Sequence, residues 1–555
     1  MEPDRKCLAS SRIEIHPATD NIVKALMAGR IGRREFLRAS SVIGLSLPFS
    51  NGVLGALGLA AAVSPARAGA PGGTVRVGQL VPQAAIEPVR VGDVAGIIQL
   101  SAVGEYLCLS GAGMVLAPVL ALNWQPNGDG SVWTFKLRPG VKFHNGKTMS
   151  ADDVVATFDR LADPDSESNA LIQFMGYLSK GGIRKIDQDT VEFRLDAPHG
   201  NFPYLVSSDT YNAIVLPADY QGGFEANFAA TGPFKLETYV PRSGSAFVRN
   251  TDYWGAPPLP DRIEYSFLVD APAMVAALKM GQIDVLHQLP LNLSGGLATD
   301  AGIEIAGVPT SAHHQVHMRN DMDPFRDPRV RRAVALCLDR PALVRALTGG
   351  RADIGNDSPF APGFPSTDKS APQRAEAIAE ARQLMQAAGL GGGFDVRLTA
   401  ENYLEIPAYA RAIQAAVKPI GGRIELDILE QSAYFGGGVF GKSPWLDAAM
   451  GITDYDHRGL PNVCLTASLR GDGGWNAARY RNPAYDAAVA KYIAALDIDA
   501  QREAAGEIET LLLADTPVLF AYFHHALTAM RKGVTGVRTT AAGHLFLAGA
   551  VIAGK

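Results

Sequence analysis

Residues 436–443, GGGVFGKS, match the spacing of a phosphate-binding loop, in which backbone amides and a lysine hold nucleotide phosphates. Such a loop joins a buried strand directly to a helix. Here the polar residues 431–434 follow the strand-like segment RIELDILE, and Pro444 lies where the helix would need backbone donors. We therefore predict that this segment does not bind a nucleotide.

Histidines are the residues best suited to bind a transition metal, and His313, His314, His317 and the pair His524-His525 are the candidates. Alternation along a strand would place His313 and His317 on one face and His314 on the other. No second pair of ligands lies nearby in the sequence. The sequence therefore predicts no metal site and no cofactor.

No spacing typical of a catalytic centre occurs, whether Gly-x-Ser-x-Gly, His-Glu-x-x-His or a recognisable Cys/His pairing. Catalytic groups can also be assembled from distant segments, so this absence alone does not exclude a hydrolase.

The 555 residues predict about three domains, and 47% hydrophobic with 19% charged residues is typical of a globular protein. A net charge of -5 excludes a protein that holds nucleic acid on a basic surface.

The N-terminal region resembles a twin-arginine export signal. Arg33 and Arg34 are followed by Phe36 and Leu37, and a stretch without charged residues covers 39–66. This stretch ends in Ala66-Arg67-Ala68, the small-x-small pattern of a signal peptidase site. We predict that residues 1–68 are a signal peptide cleaved after Ala68 and lie outside the folded protein; the alternative is an uncleaved anchor.

Three cysteines follow the predicted cleavage site: Cys108, Cys337 and Cys464. Because their number is odd, at most one disulfide can form, and the sequence leaves the pairing open. Cys337 lies three and four positions after Val334 and Ala333, which predicts a thiol in a helical core.

Periodicity predicts a mixed α/β fold in several lobes. Trp133, Phe135 and Leu137 alternate like a strand, and residues 141–144 are predicted to return after a Pro-Gly turn. Ser150 should cap a helix, with Asp153 completing a capping box. Further helices are predicted over 272–280, 328–347 and 374–388, a second hairpin over 183–195, and further strands over 73–78, 234–240, 262–269, 283–286, 394–400 and 423–430.

Several blocks, taken in order, resemble the family 5 extracellular solute-binding proteins, the dipeptide, oligopeptide and nickel receptors of ABC importers. The blocks are WTFKLRPGVKFHNGKTMSADDVV, TGPFKLETYVPRSGSAFVRNTDYWGAPPLPDRIEY, AALKMGQIDVL, DPFRDPRVRRAVALCLDRPALV and RAEAIAEARQLMQAAGL. The resemblance implies an α/β, two-lobed periplasmic binding protein of type II, cluster C-like. It implies lobe I at 72–107, 231–312 and 516–555, an inserted subdomain at 108–230, lobe II at 313–515, and hinge crossings near 312 and 515.

The resemblance also implies where the solute binds. Peptide receptors of the family hold the ligand's amino group on an aspartate, for which Asp454 and Asp456 are the candidates, while Arg458 would pair with a carboxylate. Trp475 and Asn476 resemble the loop that closes over the ligand, and Gln83 and Tyr434 are further candidates. The alternative interpretations are a polar turn around Asp454 and a Trp475 that covers the edge of the core. His457-Arg458-Gly459-Leu460-Pro461 departs from the Asp-Pro pattern of the peptide receptors.

The implied function is capture of a small, peptide-like or amino-acid-derived solute in the periplasm and its delivery to an ABC permease and ATPase. The protein is expected to act as a monomer and to bind no nucleic acid. The alternatives are a secreted hydrolase that uses the same cleft and a sensor that reports the ligand to a membrane partner.

Overall fold

The computed structural model describes residues 17–45, 50–51, 53–54, 72–226 and 228–553. Its strands are β1 (Thr74–Leu80), β2 (Cys108–Ser110), β3 (Leu116–Pro118), β4 (Ala121–Pro126), β5 (Val132–Leu137), β6 (Ile183–Asp187), β7 (Thr190–Arg194), β8 (Phe234–Val240), β9 (Gly244–Arg249), β10 (Arg262–Leu268), β11 (Val285–His287), β12 (Ile303–Met318), β13 (Ala352–Ile354), β14 (Phe394–Glu401), β15 (Gly422–Leu429), β16 (Met450–Tyr455), β17 (Val518–Leu519), β18 (Tyr522–Arg531), β19 (Val534–Thr535), β20 (Arg538–Thr539), β21 (Leu545–Phe546) and β22 (Val551–Ile552).

The described α-helices are α1 (Pro17–Met27), α2 (Arg33–Val42), α3 (Val94–Val103), α4 (Ala151–Leu161), α5 (Leu171–Phe174), α6 (Phe202–Leu205), α7 (Ala271–Lys279), α8 (Leu291–Ala298), α9 (Pro328–Ala335), α10 (Arg340–Thr348), α11 (Ile378–Ala387), α12 (Ile406–Ala416), α13 (Gln431–Phe435), α14 (Pro444–Asp447), α15 (Pro483–Ala494) and α16 (Ile498–Asp515). None of the helices in these ranges is long and apolar enough to cross a membrane.

One large sheet runs through the molecule in the order β15-β14-β16-β12-β18-β11-β1-β10-β9-β8. β12 changes partners within this sheet: residues 303–309 pair with β18, and residues 313–318 pair with β16. The register shifts between Pro309 and His313. β12 therefore connects two halves of the sheet, and its change of partner lies near residue 312.

The return connection lies between Asp515 and Val518. α16 continues to Asp515, and the chain re-enters the sheet through β17 and β18 from Val518 onward. β17 pairs with the second half of β12, and β18 pairs with its first half. The two strands therefore cross between the halves together with β12.

A second, four-stranded sheet in the order β4-β5-β7-β6 lies wholly within residues 121–194. Its strand β5 buries Trp133, Phe135 and Leu137 on one face, as the alternation predicts. The predicted helix cap is also confirmed, because the backbone amide of Ser150 donates to the Asp153 carboxylate over 2.8 Å. Residues 141–144 form no strand; only a single bridge between Lys142 and Thr148 occurs there, because β4 and β7 already occupy both edges of β5.

The predicted helix over 328–347 is broken into α9 and α10. The break falls at Asp339, whose carboxylate accepts a hydrogen bond from the amide of Ala342 and so starts a new helix, with Pro341 in its first turn. The helix predicted from residue 374 begins only at Ile378. Before it, the amide of Arg374 is bound to the Asn356 side chain, which holds this segment against the neighbouring loop.

The three cysteines are buried and unpaired. Cys337 packs in the core formed by the second half of the sheet and its helices, as the periodicity predicts. The first half of the sheet shares its core with the four-stranded sheet, and α15 and α16 form a third core.

The N-terminal segment over residues 17–45 packs against the folded body, whereas the sequence predicts that it lies outside. Phe36 is fully buried, and Trp124 donates from its indole nitrogen to the Val42 carbonyl over 2.9 Å. Arg38 donates to the Tyr204 hydroxyl over 2.8 Å, and Arg502 donates to Glu35 over 2.6 Å. Residues 17–45 therefore pack on the body, because α2 offers an apolar side chain and charges that match its surroundings. The predicted cleavage site after Ala68 lies outside the described residues.

A buried ion network should contribute strongly to stability. Asp357 is fully buried and accepts hydrogen bonds from Arg340 and Arg374, each over 2.7 Å, and from the amide of Phe520 over 3.1 Å. We expect Asp357→Ala to lower the free energy of unfolding by about 3–5 kcal/mol, because two cations lose their shared buried partner. Urea unfolding followed by tryptophan fluorescence measures this change.

The matched control is Asp395→Ala, which removes the exposed partner of Arg423. Exposed ion pairs contribute little, so its unfolding midpoint should stay at the wild-type value. Equal midpoints for the two variants would contradict the assigned role of Asp357.

Candidate functional site

The predicted ligand-binding aspartates lie at the end of β16, beside the second half of β12. Asp454 is paired in register with His314, and Tyr455 with His313. Because side chains alternate along a strand, Asp454 projects from the face opposite Tyr455. Asp456 continues this alternation just beyond the strand and is exposed to solvent.

Side chains from three further segments surround Asp454. Its carboxylate lies 3.1 Å from Nδ1 of His314, whose Nε2 lies 3.3 Å from Glu405. Glu405 in turn lies 3.2 Å from Nδ1 of His524 on β18. The amide of Asp454 donates to Glu401 at the end of β14 over 3.2 Å. We call Glu401, Glu405, Asp454, Asp456, His314 and His524 the acidic cluster.

The charges of the acidic cluster are strongly coupled. Burial acts to lower the pKa of His314, but the nearby carboxylates of Asp454 and Glu405 outweigh burial and raise it to about 9. Burial and the charge of His314 lower the pKa of His524 to about 3. At neutral pH the cluster therefore holds one imidazolium against several carboxylates.

The two aspartates respond differently to this environment. Burial acts to raise the pKa of Asp454, but His314 holds it below its usual value. Loss of hydration beside the neighbouring protein atoms raises the pKa of Asp456, and the negative charge of Asp454 raises it further. A cation placed beside Asp456 would relieve this repulsion, so the site favours a positively charged group.

Arg458 supplies a positive charge next to the acidic cluster. Its backbone is tied to β12, since the Arg458 amide donates to Oγ of Ser311 over 2.9 Å and this hydroxyl donates to the Arg458 carbonyl over 2.8 Å. The amide of Ser311 also donates to His457 over 3.0 Å. The Arg458 side chain faces Tyr211. Burial raises the pKa of Tyr211, and the charge of Arg458 acts in the opposite direction.

The segment after Arg458 contacts the part of the chain that carries the four-stranded sheet. Leu460 packs into the core of that part, and the Asn462 amide nitrogen lies 2.9 Å from Nε2 of His199. Between them lies a cavity of about 30 Å³ lined in part by Tyr204, Asp209 and Arg458. Such a cavity has room for one or two water molecules only. A larger solute therefore requires these two surfaces to separate.

The other predicted site residues have different surroundings. Trp475 is half-buried and lies with its ring centroid 6.1 Å from that of Tyr455, on the opposite face of β16 from Asp454. Asn476 is buried, and its amide donates to the carbonyls of Arg470 and Tyr480. Its polar atoms therefore hold the loop, and the structure does not bring Asn476 to the acidic cluster.

Tyr434 and Gln83 are also separate from the acidic cluster. Tyr434 is fully buried and donates its hydroxyl to the Ile452 carbonyl over 2.7 Å. It therefore belongs to the core, although the sequence predicts a ligand contact. Gln83 is exposed in the loop after β1.

The sequence does not predict Glu401, Glu405 or Tyr211 as site residues, and it offers His524 only as a candidate metal ligand. His524 lies next to His314 because β12 and β18 are neighbours in the sheet, although the two residues are far apart in the chain. The only local signal was the His524-His525 pair in a strand-like segment.

The phosphate-loop pattern at 436–443 lacks the strand-loop-helix geometry of a phosphate-binding loop. The short helix α13 intervenes after β15, and the helix that follows, α14, has only four residues and starts at Pro444. The prediction that this segment lacks the strand-loop-helix geometry is confirmed.

Comparison with known proteins identifies the architecture. The model of the bacterial extracellular solute-binding proteins, family 5 (middle region), matches residues 115–455. The chain belongs to this family. The di/tripeptide-binding protein 2 of Pseudomonas aeruginosa is 28% identical over 460 residues, which are 76% of this chain and 84% of that protein. The glutathione-binding protein of Pectobacterium atrosepticum is 25% identical over 439 residues, or 76% and 83% of the two chains.

A solved structure shows the same fold. The DppA periplasmic binding protein of Helicobacter pylori, solved with the peptide STSA, superimposes with a TM-score of 0.70 at 20% identity, covering 87% of this chain and 98% of that one. This family 5 protein therefore has the two-lobed α/β fold of periplasmic binding proteins, and β12, β17 and β18 join the two halves of its large sheet. It is the solute-binding protein of an ABC importer, a class that captures a solute outside the cytoplasm and delivers it to a permease.

In this solute-binding protein, the segment after Arg458 lies so close to Asp209 that no room is left for a side chain at Gly459. A Cβ atom there would lie 2.1 Å from Oδ2 and 2.7 Å from Cβ of the buried Asp209. We expect Gly459→Ala to oppose this contact by about 1–3 kcal/mol. Small-angle X-ray scattering should then give a larger radius of gyration than for the wild type.

The control is Gly474→Ala, because a Cβ at Gly474 would have no neighbouring atom within 4 Å. This variant should keep the wild-type radius. If Gly459→Ala also keeps it, the Gly459–Asp209 contact does not limit closure.

Proposed function

We propose that this protein binds a small peptide-like solute, with a free amino group and a carboxylate, between its lobes. The acidic cluster beside Arg458 is the observation that carries this proposal. A buried ammonium group needs a charged partner, which Asp454 or Asp456 can provide. Arg458 offers a guanidinium suited to a carboxylate.

The named relatives support this solute class. They are described as binding glutathione and di- or tripeptides, all of which carry an amino group and at least one carboxylate. His457-Arg458-Gly459-Leu460-Pro461 differs from the Asp-Pro pattern of the peptide receptors. We therefore expect selectivity to differ from that of a general dipeptide receptor.

We also propose a division of the chain into lobes that would close over the solute. We assign lobe I to 72–107, 231–312 and 516–555, the inserted subdomain to 108–230, and lobe II to 313–515. Arg458 belongs to lobe II and Tyr211 to the subdomain, so a solute held between them contacts both sides and favours closure. The protein acts as a monomer that binds the solute without converting it.

Replacing either aspartate should weaken binding of an amine-bearing solute. We expect Asp454→Asn or Asp456→Asn to raise the Kd at least tenfold, about 1.4 kcal/mol, because the ammonium loses a charged partner. Isothermal titration calorimetry with glutathione and a panel of dipeptides and tripeptides measures the Kd.

Two controls make this experiment specific. Asp472→Asn changes an exposed aspartate paired with Arg470 and should leave the Kd unchanged. N-acetylated forms of the bound compound should bind weakly to the wild type. Unchanged affinity in both Asp454→Asn and Asp456→Asn would remove these residues from the site.

We also propose that the chain is exported by the twin-arginine route and cleaved after Ala68. Arg33 and Arg34 open α2, where Arg33 is partly buried and Arg34 exposed, while Phe36 is buried. This route carries folded proteins, which fits a precursor whose N-terminal segment packs on a folded body.

Export should depend on the arginine pair. In cells, the double variant Arg33→Lys and Arg34→Lys should accumulate as uncleaved cytoplasmic precursor, whereas Arg30→Lys should be exported normally. Fractionation with immunoblotting detects the two forms, and N-terminal sequencing of the exported form should begin at Gly69. Normal export of the double variant would overturn the assigned route.

A further inference from the structure

His314, His524 and Asp454 come from three strands and meet at the acidic cluster. The rings of His314 and His524 lie with centroids 4.4 Å apart at an interplanar angle of 74°. Asp454 reaches the same place because it is paired with His314 across β12 and β16. The strands that run between the lobes therefore assemble a group that no local stretch of sequence contains.

One ligand-type atom from each of these residues lies within 4.8 Å of the other two. The group is sheltered: the His314 side chain is 0% exposed, that of His524 12% and that of Asp454 23%. Glu405, with a side chain 10% exposed, adds a second carboxylate. Atoms this close can converge on one ion after small side-chain rotations, since imidazole and carboxylate ligands bind zinc at about 2.0–2.2 Å.

The hydrogen bonding of these buried atoms is incomplete. Both ring nitrogens of His314, Nε2 of His524 and Oε1 of Glu405 have no aligned hydrogen bond in the described structure. Carboxylate oxygens nevertheless lie 3.1 to 3.3 Å from the His314 nitrogens. Buried polar atoms are nearly always satisfied, so these unaligned atoms can serve as ligands to a common cation, which would displace the proton of His314.

We propose that His314, His524 and Asp454, with Glu405 beside them, bind one divalent transition-metal ion such as Zn²⁺ or Ni²⁺. Two imidazoles with carboxylates suit these ions, whereas Ca²⁺ and Mg²⁺ prefer sets made of oxygen ligands. The ion would be held by protein side chains alone and would link β12, β16 and β18 where the lobes join. This inference rests on the side-chain geometry and does not require the proposed solute.

Metal binding is tested on the full chain after dialysis against EDTA and removal of the chelator. Zn²⁺ alone and Ni²⁺ alone are titrated by calorimetry, and the bound metal is counted by inductively coupled plasma mass spectrometry after desalting. We expect one ion per chain. His314→Gln and His524→Gln should each weaken binding at least tenfold, because each removes a ligand.

The matched control is His525→Gln. His525 neighbours His524 in the same strand, but its Nε2 lies 3.4 Å from Asp353 at a different place. This variant should bind the ion like the wild type. Wild-type affinity in both His314→Gln and His524→Gln, or no stoichiometric metal in the wild type, would overturn the proposal.

X-ray absorption spectroscopy of the metal-loaded wild type keeps the test independent of folding in the variants. It should show a nitrogen and oxygen shell at about 2.0–2.1 Å with the scattering pattern of two imidazoles. A shell without imidazole would also overturn the proposal. Peptide titration in EDTA separates the two hypotheses, because loss of metal binding alone leaves the proposed peptide function standing.

Discussion

β12 is bonded to β18 over its first half and to β16 over its second half, with a shift in register between Pro309 and His313. Most of the functional geometry depends on this change of partner. It places β16 and β18 on the two sides of β12, and it leaves the backbone amide of Ser311 outside the ladder, where it donates to His457. The Ser311 hydroxyl holds the backbone of the next residue, Arg458. A continuous ladder through these residues would use the Ser311 amide and so remove one of the bonds that anchor the loop.

The local charge follows from that arrangement. Four carboxylates approach one another only because His314 lies between two of them and the ends of β14 and β16 are adjacent. Like charges this close are unfavourable without cations, and His314 with its raised pKa is the compensating group that the chain itself provides. A bound cationic group could balance the negative charge that His314 leaves uncompensated.

The features that could be predicted from the sequence are those determined by local chemistry. The Ser150 cap, the alternation of Trp133 and Phe135, and the core position of Cys337 each depend on residues a few positions apart. The family blocks likewise predicted the two-lobed fold. The meeting of His314, Glu405 and His524 depends instead on strand order and register, which no local pattern encodes. The burial of Tyr434 was missed for the same reason, because its hydroxyl is satisfied by the neighbouring strand β16.

The docking of α2 has a mechanical consequence. Arg38 is bonded to Tyr204 on one side of the lobe interface, while Glu35 is bonded to Arg502 on the other. Any rotation that parts the two sides must stretch or break one of these attachments for as long as the segment stays joined to the chain. A segment attached to both sides therefore restrains a hinge located far away in the sequence, and detachment of α2 would restore that degree of freedom.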